Sequence, residues 1–385
     1  MMKFGFREAA LAGSLMAVSA GAMAEDNPFS SLSFDGWAAG VYIHRLDESA
    51  DDNLATGYFS HPNANTFEFN QAWIAIDKAA TEDSRAGFHL DYVYGAVANA
   101  QRGNVTSDGD DTLIYTAYVS YLADIGNGVN FDFGRVGTLL GAEVLQTGDN
   151  FNVTRGIVYG LQPITHTGLI ASTDFGGGWG GAIGVVNDLY SDSITDTSSQ
   201  KVVTGQLSWT GDSVYAGFSA IYGRDDSLVT AGGAAPCFPQ GDCQLGVFDV
   251  LVTADLSDTV SVWLNADYLV NNGDDQSEEG SAYGIAAAGR VALNERAGLS
   301  ARFEYINLDE DFQAAAAGTP AAGLDEFDQF SITGTYDYTL TNNLTVRAEI
   351  RYDDAETPIF AGENGAGEDS QVTALLEVVY NIRGN

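Results

Sequence analysis

Charged side chains inside apolar, alternating stretches are the residues of this sequence best suited to chemistry. Seven of them occupy polar positions in the C-terminal part of the chain: Arg290, Arg302, Glu304, Asp337, Arg347, Glu349 and Arg351. One interpretation is a ladder of ion pairs that stiffens a wall and neutralises buried charge. The other is a set of arginines that face acids across a narrow gap, where opposed charges orient water and sort ions. The two interpretations are compatible.

Catalytic chemistry has little support in the sequence. The four histidines, His44, His61, His89 and His166, belong to no recognisable nucleophile or metal motif. The sequence therefore predicts no catalytic residue, no set of metal ligands and no cofactor. A Ser–His pair assembled from separate strands is the less favoured alternative, with His166 as the first residue to test.

The two cysteines of the chain, Cys237 and Cys243, lie close together in the run CFPQGDC. In an oxidising compartment this spacing favours a local disulfide that pins a loop. A redox or metal-binding pair is the alternative, but no histidine or third cysteine lies nearby in the sequence.

The chain is strongly acidic, with 53 Asp and Glu residues against 16 Lys and Arg residues and a formal net charge of −37. Phosphate binding requires clustered Lys and Arg, so we expect no nucleic-acid partner. Acids are dense in the long connections, where they would concentrate cations. The run 108–111 is interpreted as a solvated acidic loop, with bound calcium as the alternative, because it lacks the full spacing of a calcium loop.

These charges are positioned by sixteen stretches in which apolar and polar residues alternate. Alternation with period two is typical of strands that have one apolar face. The stretches are 32–46, 66–78, 85–95, 112–122, 129–135, 164–175, 179–187, 200–210, 213–223, 245–256, 259–270, 281–293, 297–307, 325–340, 343–353 and 371–382. The stretch 343–353 shows both faces, since Leu344 and Ile350 alternate with Arg347 and Glu349.

The connections between the stretches alternate between short and long. Short turns such as 79–84 and 123–128 alternate with acidic connections of 10 to 28 residues. A membrane-spanning barrel places short turns on one side and long loops on the other. The sequence predicts an all-β fold: a transmembrane antiparallel up-and-down β-barrel of about 16 strands, with long extracellular loops and short periplasmic turns. Fourteen strands is the alternative count, with 164–175 and 179–187 as the weak pair. The stretches 32–46 and 66–78 fit either face, which is consistent with a bulge.

The first 24 residues have the pattern of a signal peptide. Lys3 and Arg7 precede a short apolar core, and positions 22–24 fit a cleavage site. No later segment has the ~18 to 20 uncharged apolar residues of a spanning helix. We therefore expect cleavage of residues 1–24 and export of residues 25–385 as a single barrel in a bacterial outer membrane.

The third long connection, residues 136–163, differs from the others because it is rich in apolar residues. It also carries Glu143, Asp149 and Arg155. Loops of this length are usually structured or functional. We expect it to fold into the lumen and narrow the channel together with the arginines of the wall. Packing on the rim or against a neighbouring subunit is the alternative.

Several short runs resemble the OmpL-like beta-barrel outer-membrane porin family. The runs are FNQA at 69–72, AYV at 117–119, GRVGTLLGAE at 134–143, NVTRG at 152–156, PITHTG at 163–168 and VN at 186–187. The resemblance covers the mature chain and is most specific over 66–187. It implies a Gram-negative outer-membrane channel and, by analogy with general porins, a third loop that forms the constriction. The chain lacks the usual terminal aromatic residue, so Tyr380 and Ile382 are the candidate assembly signal.

The sequence thus predicts a porin: a passive diffusion channel for small hydrophilic solutes and ions with a preference for cations. The alternatives are a barrel that serves as a surface adhesin, receptor or envelope anchor without significant transport, and a less favoured outer-membrane hydrolase. The expected partners are outer-membrane lipid, lipopolysaccharide and small hydrophilic solutes. A homotrimer is suggested by analogy and by strands 32–46 and 164–187, which are rich in Gly and Ala.

Overall fold

A computed structural model describes most of the chain. The described ranges are 32–46, 64–101, 111–190, 200–224, 244–272, 279–309, 327–361 and 367–382. Cys237 and Cys243 lie outside these ranges, as do residues 1–24 and most of the acidic run 108–111. The disulfide and the signal peptide therefore stay predictions, and so does the solvated acidic loop, with bound calcium as its alternative.

The described ranges consist mainly of β-strands, joined by one short helix and two 3-10 turns. The strands are β1 (Ser33–Arg45), β2 (Thr66–Lys78), β3 (Ala86–Tyr94), β4 (Thr112–Ala123), β5 (Val129–Gly137), β6 (Thr165–Gly176), β7 (Trp179–Val186), β8 (Val202–Thr210), β9 (Val214–Arg224), β10 (Gln244–Ser257), β11 (Val260–Asn271), β12 (Gly280–Ala292), β13 (Ala297–Leu308), β14 (Phe327–Thr341), β15 (Leu344–Ala355), β16 (Phe360–Ala361), β17 (Gly367–Glu368) and β18 (Ser370–Asn381). The helix is α1 (Ala96–Gln101), and the 3-10 turns are Thr147–Asp149 and Val158–Leu161. Within the described ranges, no helix has the length and apolar character needed to cross a membrane.

Sixteen of the described strands close into one antiparallel barrel. Each pairs with its neighbours in chain order, and β1 pairs with β18 to complete the ring. The two remaining strands, β16 and β17, lie between β15 and β18 in the chain and pair with each other in a small antiparallel sheet. Closure satisfies the backbone groups that an open sheet edge would leave unpaired in lipid. The predicted fold class and the count of sixteen are confirmed, because β6 and β7 are separate, paired strands.

The alternation of residues along each strand produces two different barrel surfaces. On β15, Arg347, Glu349 and Arg351 are buried inside, whereas Ile350 is 54% exposed on the outside. Large apolar side chains such as Phe133 and Leu376 are likewise exposed on the outer surface. An apolar outer band over a polar interior is the arrangement that suits a barrel in lipid.

The first two strands contain the irregularity that their ambiguous alternation suggested. The register between β1 and β2 shifts between Ala39 and Gly40. A bulge of this kind places one extra residue on one strand and changes which side chains face inward. The bulge explains why the alternation alone fitted either face.

The largest apolar core lies inside the barrel, not between layers of sheet. Residues 138–164, here called the inner segment, connect β5 to β6, and their Val158 and Leu161 belong to the same buried cluster as Trp263 and Ile306 of the wall. Because those wall residues lie on β11 and β13, the core attaches the inner segment to one side of the barrel.

Candidate functional site in the barrel interior

Arg302 on β13 connects the wall to the inner segment. Its Nη1 donates to Glu143 Oε1 at 2.5 Å and to the carbonyl oxygen of Thr154 at 2.7 Å. Its Nε lies 2.9 Å from Glu304 Oε2, and Glu304 Oε1 accepts the backbone N–H of Val158 at 3.2 Å. Glu143 therefore contacts its arginine directly. This differs from the hypothesis of an arginine that faces Glu143 across an open gap.

Glu349 on β15 holds the middle of the inner segment. Its carboxylate accepts the backbone N–H groups of Val153 at 2.5 Å and Thr154 at 2.9 Å, and also the Thr154 hydroxyl at 2.6 Å. Thr335 of the neighbouring strand donates to the same carboxylate at 2.6 Å. A carboxylate that receives several charge-assisted hydrogen bonds fixes its donors firmly.

Arg347, two residues earlier on the same strand, holds the preceding part of the segment. Its Nη2 donates to Thr147 Oγ1 at 2.6 Å and its Nη1 to the carbonyl of Asn150 at 3.1 Å. Its Nε donates to Glu377 of β18 at 2.5 Å, and Glu377 also accepts the Thr147 hydroxyl at 2.8 Å. The Arg347–Glu377 pair thus binds the segment as a unit.

Arg155 folds the inner segment on itself. Its guanidinium donates to the carbonyl oxygens of Val144 at 2.7 Å, Leu145 at 2.6 Å and Val153 at 2.7 Å. The carbonyl of Arg155 in turn accepts Arg351 Nη1 of the wall at 2.8 Å. Burial lowers the pKa of Arg155 from its ordinary value, with nearby Tyr159 and Glu143 opposing that effect.

The far end of the inner segment is held by polar residues of other strands. Gln162 Nε2 donates to Asp267 Oδ2 at 2.7 Å and to Asn265 Oδ1 at 2.9 Å, both on β11. On β9, the Ser219 hydroxyl donates to the carbonyl of Leu139 at 2.7 Å. Together with the contacts above, these bonds fasten the segment to the side of the barrel formed by β9–β18.

Arg290 and Asp337 form an ion pair away from these contacts. The two guanidinium nitrogens Nε and Nη2 donate to the two carboxylate oxygens at 3.0 and 2.7 Å. Both residues line the main interior cavity, as does Asp149 of the inner segment. The ten predicted interior residues therefore lie inside the barrel, but most of them hold the inner segment in place.

A cavity of about 1100 Å³ lies between most of the inner segment and the opposite wall. Gln71 of β2 is the point of direct contact, since its amide donates to the carbonyl of Leu145 and accepts the N–H of Thr147, each at 3.2 Å. It is lined on one side by segment residues such as Val144 and Phe151, and on the other by inward side chains of β2–β5. Residues of the short turns, including Asn127 and Asn342, also line it. The cavity thus extends from the inner segment to the short-turn end of the barrel.

The β2–β5 wall carries a network of acids around one histidine. His89 lies between two carboxylates, with Nδ1 3.1 Å from Asp77 Oδ1 and Nε2 3.1 Å from Asp91 Oδ2. Asp91 is buried and also accepts Trp73 Nε1 at 3.0 Å and the Thr116 hydroxyl at 2.7 Å. These bonds hold the carboxylates in fixed positions along the wall.

The same network continues across β4 and β5. Tyr118 stacks on His89, with ring centroids 5.1 Å apart and an angle of 17° between the rings. Asp132 Oδ1 accepts the Ser120 hydroxyl at 2.6 Å and the Asn130 amide at 2.9 Å. No group of three or more His, Cys, Asp or Glu in the described part of the chain could hold a metal ion.

Sequence reasoning treated His89 as a histidine outside any known motif and did not bring it together with Asp77. A signal was available, because Asp77 and His89 are equidistant from Asp83 in the short turn and therefore pair in an antiparallel hairpin. The contacts of Gln162 with β11 carry no comparable signal, since the inner segment has no regular period.

Solved structures with similar folds include several outer-membrane proteins. A loop-deletion mutant of OmpT from Vibrio cholerae aligns with a TM-score of 0.60 and 13% identity, over 91% of this chain and 98% of that chain. OmpF of Salmonella typhi in complex with daunomycin aligns with a TM-score of 0.60 and 11% identity, over 91% of this chain and 97% of that chain. An anion-selective porin from Comamonas acidovorans aligns with a TM-score of 0.58 and 10% identity, over 91% of this chain and 99% of that chain. At these identities the likeness concerns the fold alone.

Among curated proteins, none matches the chain. The family described as "Putative beta-barrel porin-2, OmpL-like" matches residues 31–382, which is nearly the whole length. This match supports a porin role and an outer-membrane location. The chain belongs to this OmpL-like porin family.

Proposed function

We propose that the protein is a passive diffusion channel for small hydrophilic solutes and ions, with a preference for cations. The observation that carries this proposal is the cavity of about 1100 Å³ between the inner segment and the β2–β5 wall. A space of this size inside a closed barrel suits hydrated ions and small solutes, because carboxylate, amide and hydroxyl side chains are part of its lining.

The inner segment forms the constriction in this proposal. The arginines Arg302, Arg347 and Arg351 fasten it to the wall together with Glu143, Glu304 and Glu349, and Arg155 holds its internal shape. Asp149, Arg290 and Asp337 line the cavity and act on passing solutes. The ten residues thus have two roles, and Glu143 and Arg347 have both, because they hold the segment and also line the cavity.

The preference for cations follows from which charges are already engaged. Of the permanently charged cations that line the cavity, Arg290 pairs with Asp337, Arg347 pairs with Glu377, and Lys78 donates to Ser84 and to the carbonyl of Ala86. The lining carboxylates include Asp77, Asp91, Asp132, Asp149, Asp174 and Asp249. An excess of fixed negative charge raises the local concentration of cations.

The setting of the channel is part of the proposal. After removal of residues 1–24, residues 25–385 form a single barrel with its short turns in the periplasm and its long loops outside. Outer-membrane lipid and lipopolysaccharide contact its apolar outer band, and a homotrimer is the proposed assembly.

Reconstitution in a planar lipid bilayer under a salt gradient tests the proposal. We expect discrete conductance steps and a reversal potential of cationic sign. The absence of steps from correctly folded protein would contradict the channel and favour a closed barrel with a surface role. Steps with an anionic reversal potential would contradict the cation preference alone.

Deletion of residues 139–159 tests the constriction. Because this stretch occupies the interior opposite the acidic wall, its removal should raise the single-channel conductance. Arg290→Gln is the control, since it changes a lining charge without removing the segment. Unchanged conductance after the deletion would place the narrowest point elsewhere.

A further inference from the structure

We propose that the β2–β5 wall is a binding subsite for a linear organic polycation, whose ammonium groups contact Asp77 and Asp132 on either side of the Tyr118 ring. This inference rests on the proposed function, because the solute must enter the cavity that these residues line. It goes beyond a general preference for cations, since it names a place and a ligand shape.

One carboxylate oxygen on each side of the subsite remains available. Asp132 is 3% exposed and lines the cavity, and its Oδ1 accepts both Ser120 and Asn130. Its Oδ2 has no partner within the described residues. Asp77 is similar, since its Oδ1 faces His89 while its Oδ2 is without a partner in the same ranges. A buried carboxylate oxygen that adjoins a cavity gains most from a donor that carries positive charge.

His89 fixes the charge of the subsite. Both of its ring nitrogens lie 3.1 Å from carboxylate oxygens, of Asp77 and of Asp91, so both must donate and the ring is an imidazolium. One positive charge among Asp77, Asp91 and Asp132 leaves the wall negative. Anionic ligands are therefore disfavoured.

Tyr118 separates the two available carboxylate oxygens. Asp77 pairs with His89 in the β2–β3 register, and His89 pairs with Tyr118 in the β3–β4 register. Asp132 lies on β5, opposite Ser120. Neighbouring strands are about 4.8 Å apart, and Ser120 lies two residues beyond Tyr118 on β4, so the backbones of Asp77 and Asp132 lie roughly 16 Å apart along the sheet. A ligand that reaches both must be elongated.

An organic cation fits this wall better than a metal ion. The carboxylates are spread over neighbouring strands, and the described residues contain no group of three or more potential metal ligands. The half-buried Tyr118 ring lies between the acids, where an ammonium group gains a cation–π contact that a hydrated metal ion does not make well. Methylene groups between the ammonium groups would lie along the same ring.

Calorimetric titration of spermidine, a linear triamine, into the folded full-length barrel in detergent tests the subsite. We expect saturable binding that is tighter than that of the shorter diamine putrescine. Asp77→Asn and Asp132→Asn should each weaken spermidine roughly tenfold, because each removes one charge-assisted contact. Asp174→Asn is the matched control, since Asp174 lines the same cavity near a short turn and should change binding less than about twofold.

Tyr118 variants separate the ring from its hydroxyl and give a test that does not depend on the acids. Tyr118→Phe should retain spermidine binding, and Tyr118→Leu should weaken it severalfold, about threefold to tenfold. Competition by MgCl₂ against the unmodified barrel needs no variant at all. At equal ionic strength, Mg²⁺ should displace spermidine no better than Na⁺ does.

Several outcomes would overturn the subsite. The first is an equal loss of spermidine affinity in Asp174→Asn and Asp132→Asn, which would indicate general attraction to an acidic lumen. The second is selective displacement of spermidine by Mg²⁺. The third is the absence of saturable binding. The titration does not require conduction. Spermidine binding without conductance steps in a bilayer would therefore contradict the proposed channel but not the subsite. Conductance steps without spermidine binding would contradict the subsite but not the channel.

Discussion

The two sides of the barrel interior use similar residues for different purposes. On the β13–β15 side, Arg302 and Arg347 meet acids and the inner segment, and they are almost fully buried. On the β2–β5 side, Asp77 and Asp132 are held by neighbours on the wall itself and line an open cavity. The first side has its charges satisfied by the segment, whereas the second keeps carboxylate oxygens available to solutes.

The difference shows that a charged residue in a lumen is not by itself a selectivity residue. A charge that is paired in a dry contact mainly determines where chain segments lie. A charge that faces an open cavity acts on the ions that pass. Substitutions on the β13–β15 side should therefore change mainly stability and the position of the inner segment, whereas substitutions on the β2–β5 side should change mainly ion selectivity.

The largest effect is expected on the segment side, from Arg302→Met. Loss of the guanidinium leaves Glu143 and Glu304 buried without their cation, which costs about 3–5 kcal/mol of unfolding free energy. Thermal unfolding of the folded barrel in detergent measures the loss. Arg290→Met is the control, because the Arg290–Asp337 pair is more exposed and should cost only about 1 kcal/mol. Similar losses in both variants would contradict the division between the two sides.

Glu349→Gln should loosen the middle of the inner segment. The amide keeps an acceptor but loses the charge that receives Val153, Thr154 and Thr335, at a cost of about 2 kcal/mol. Single-channel recordings should show larger and noisier currents as the segment detaches. Thr345→Val is the control, because the hydroxyl contact that it removes, with Thr339, lies within the wall. Currents that change as much in this variant as in Glu349→Gln would argue against the contact with the segment.

Gly156→Ala tests the close approach of the segment to the wall. An added Cβ would collide with the Glu304 carboxylate, so either the segment or Glu304 must move, at about 1–3 kcal/mol. Unfolding free energy and conductance both report the change. Gly160→Ala is the control within the same segment, because no atom lies within 4 Å of a Cβ at that position. If the two variants were equally stable, the tight packing at Gly156 would be refuted.

The smallest effect is expected on the open side, from Asp132→Asn. Removing this charge should lower the cation preference without changing stability by more than about 1 kcal/mol, because Ser120 and Asn130 still have an acceptor. The reversal potential should shift more at 0.1 M than at 1 M salt, since the screening length falls from about 10 Å to about 3 Å. Ser120→Ala, which removes a neutral donor, is the control. A shift that is independent of salt would argue against an electrostatic cause.

The strands could be predicted from the sequence because period-two alternation in a membrane barrel leaves little freedom. The predicted range 66–78 coincides with β2, and the inward position of Arg302 follows from its alternation with Ala301 and Phe303. The path of the inner segment could not be predicted in the same way. Glu143 and Arg302 are 159 residues apart in the chain, and nothing periodic near Glu143 indicates which wall it meets.

Two kinds of arginine contact should form at different stages of folding. Arg155 bonds to carbonyl oxygens nearby in the chain, whereas Arg302 and Arg347, which bond to carboxylates, lie much later in the chain than the inner segment that they hold. Arg155 is held by Val144, Leu145 and Val153, all within eleven residues of it in the chain, so the bend they form can arise as soon as that stretch is made. Gln71 of the early strand β2 contacts this bend, but Glu377, which accepts the Thr147 hydroxyl, lies 230 positions later in the chain than Thr147. We therefore expect a pre-shaped bend to wait for the last strands, so that its docking marks the completion of barrel assembly.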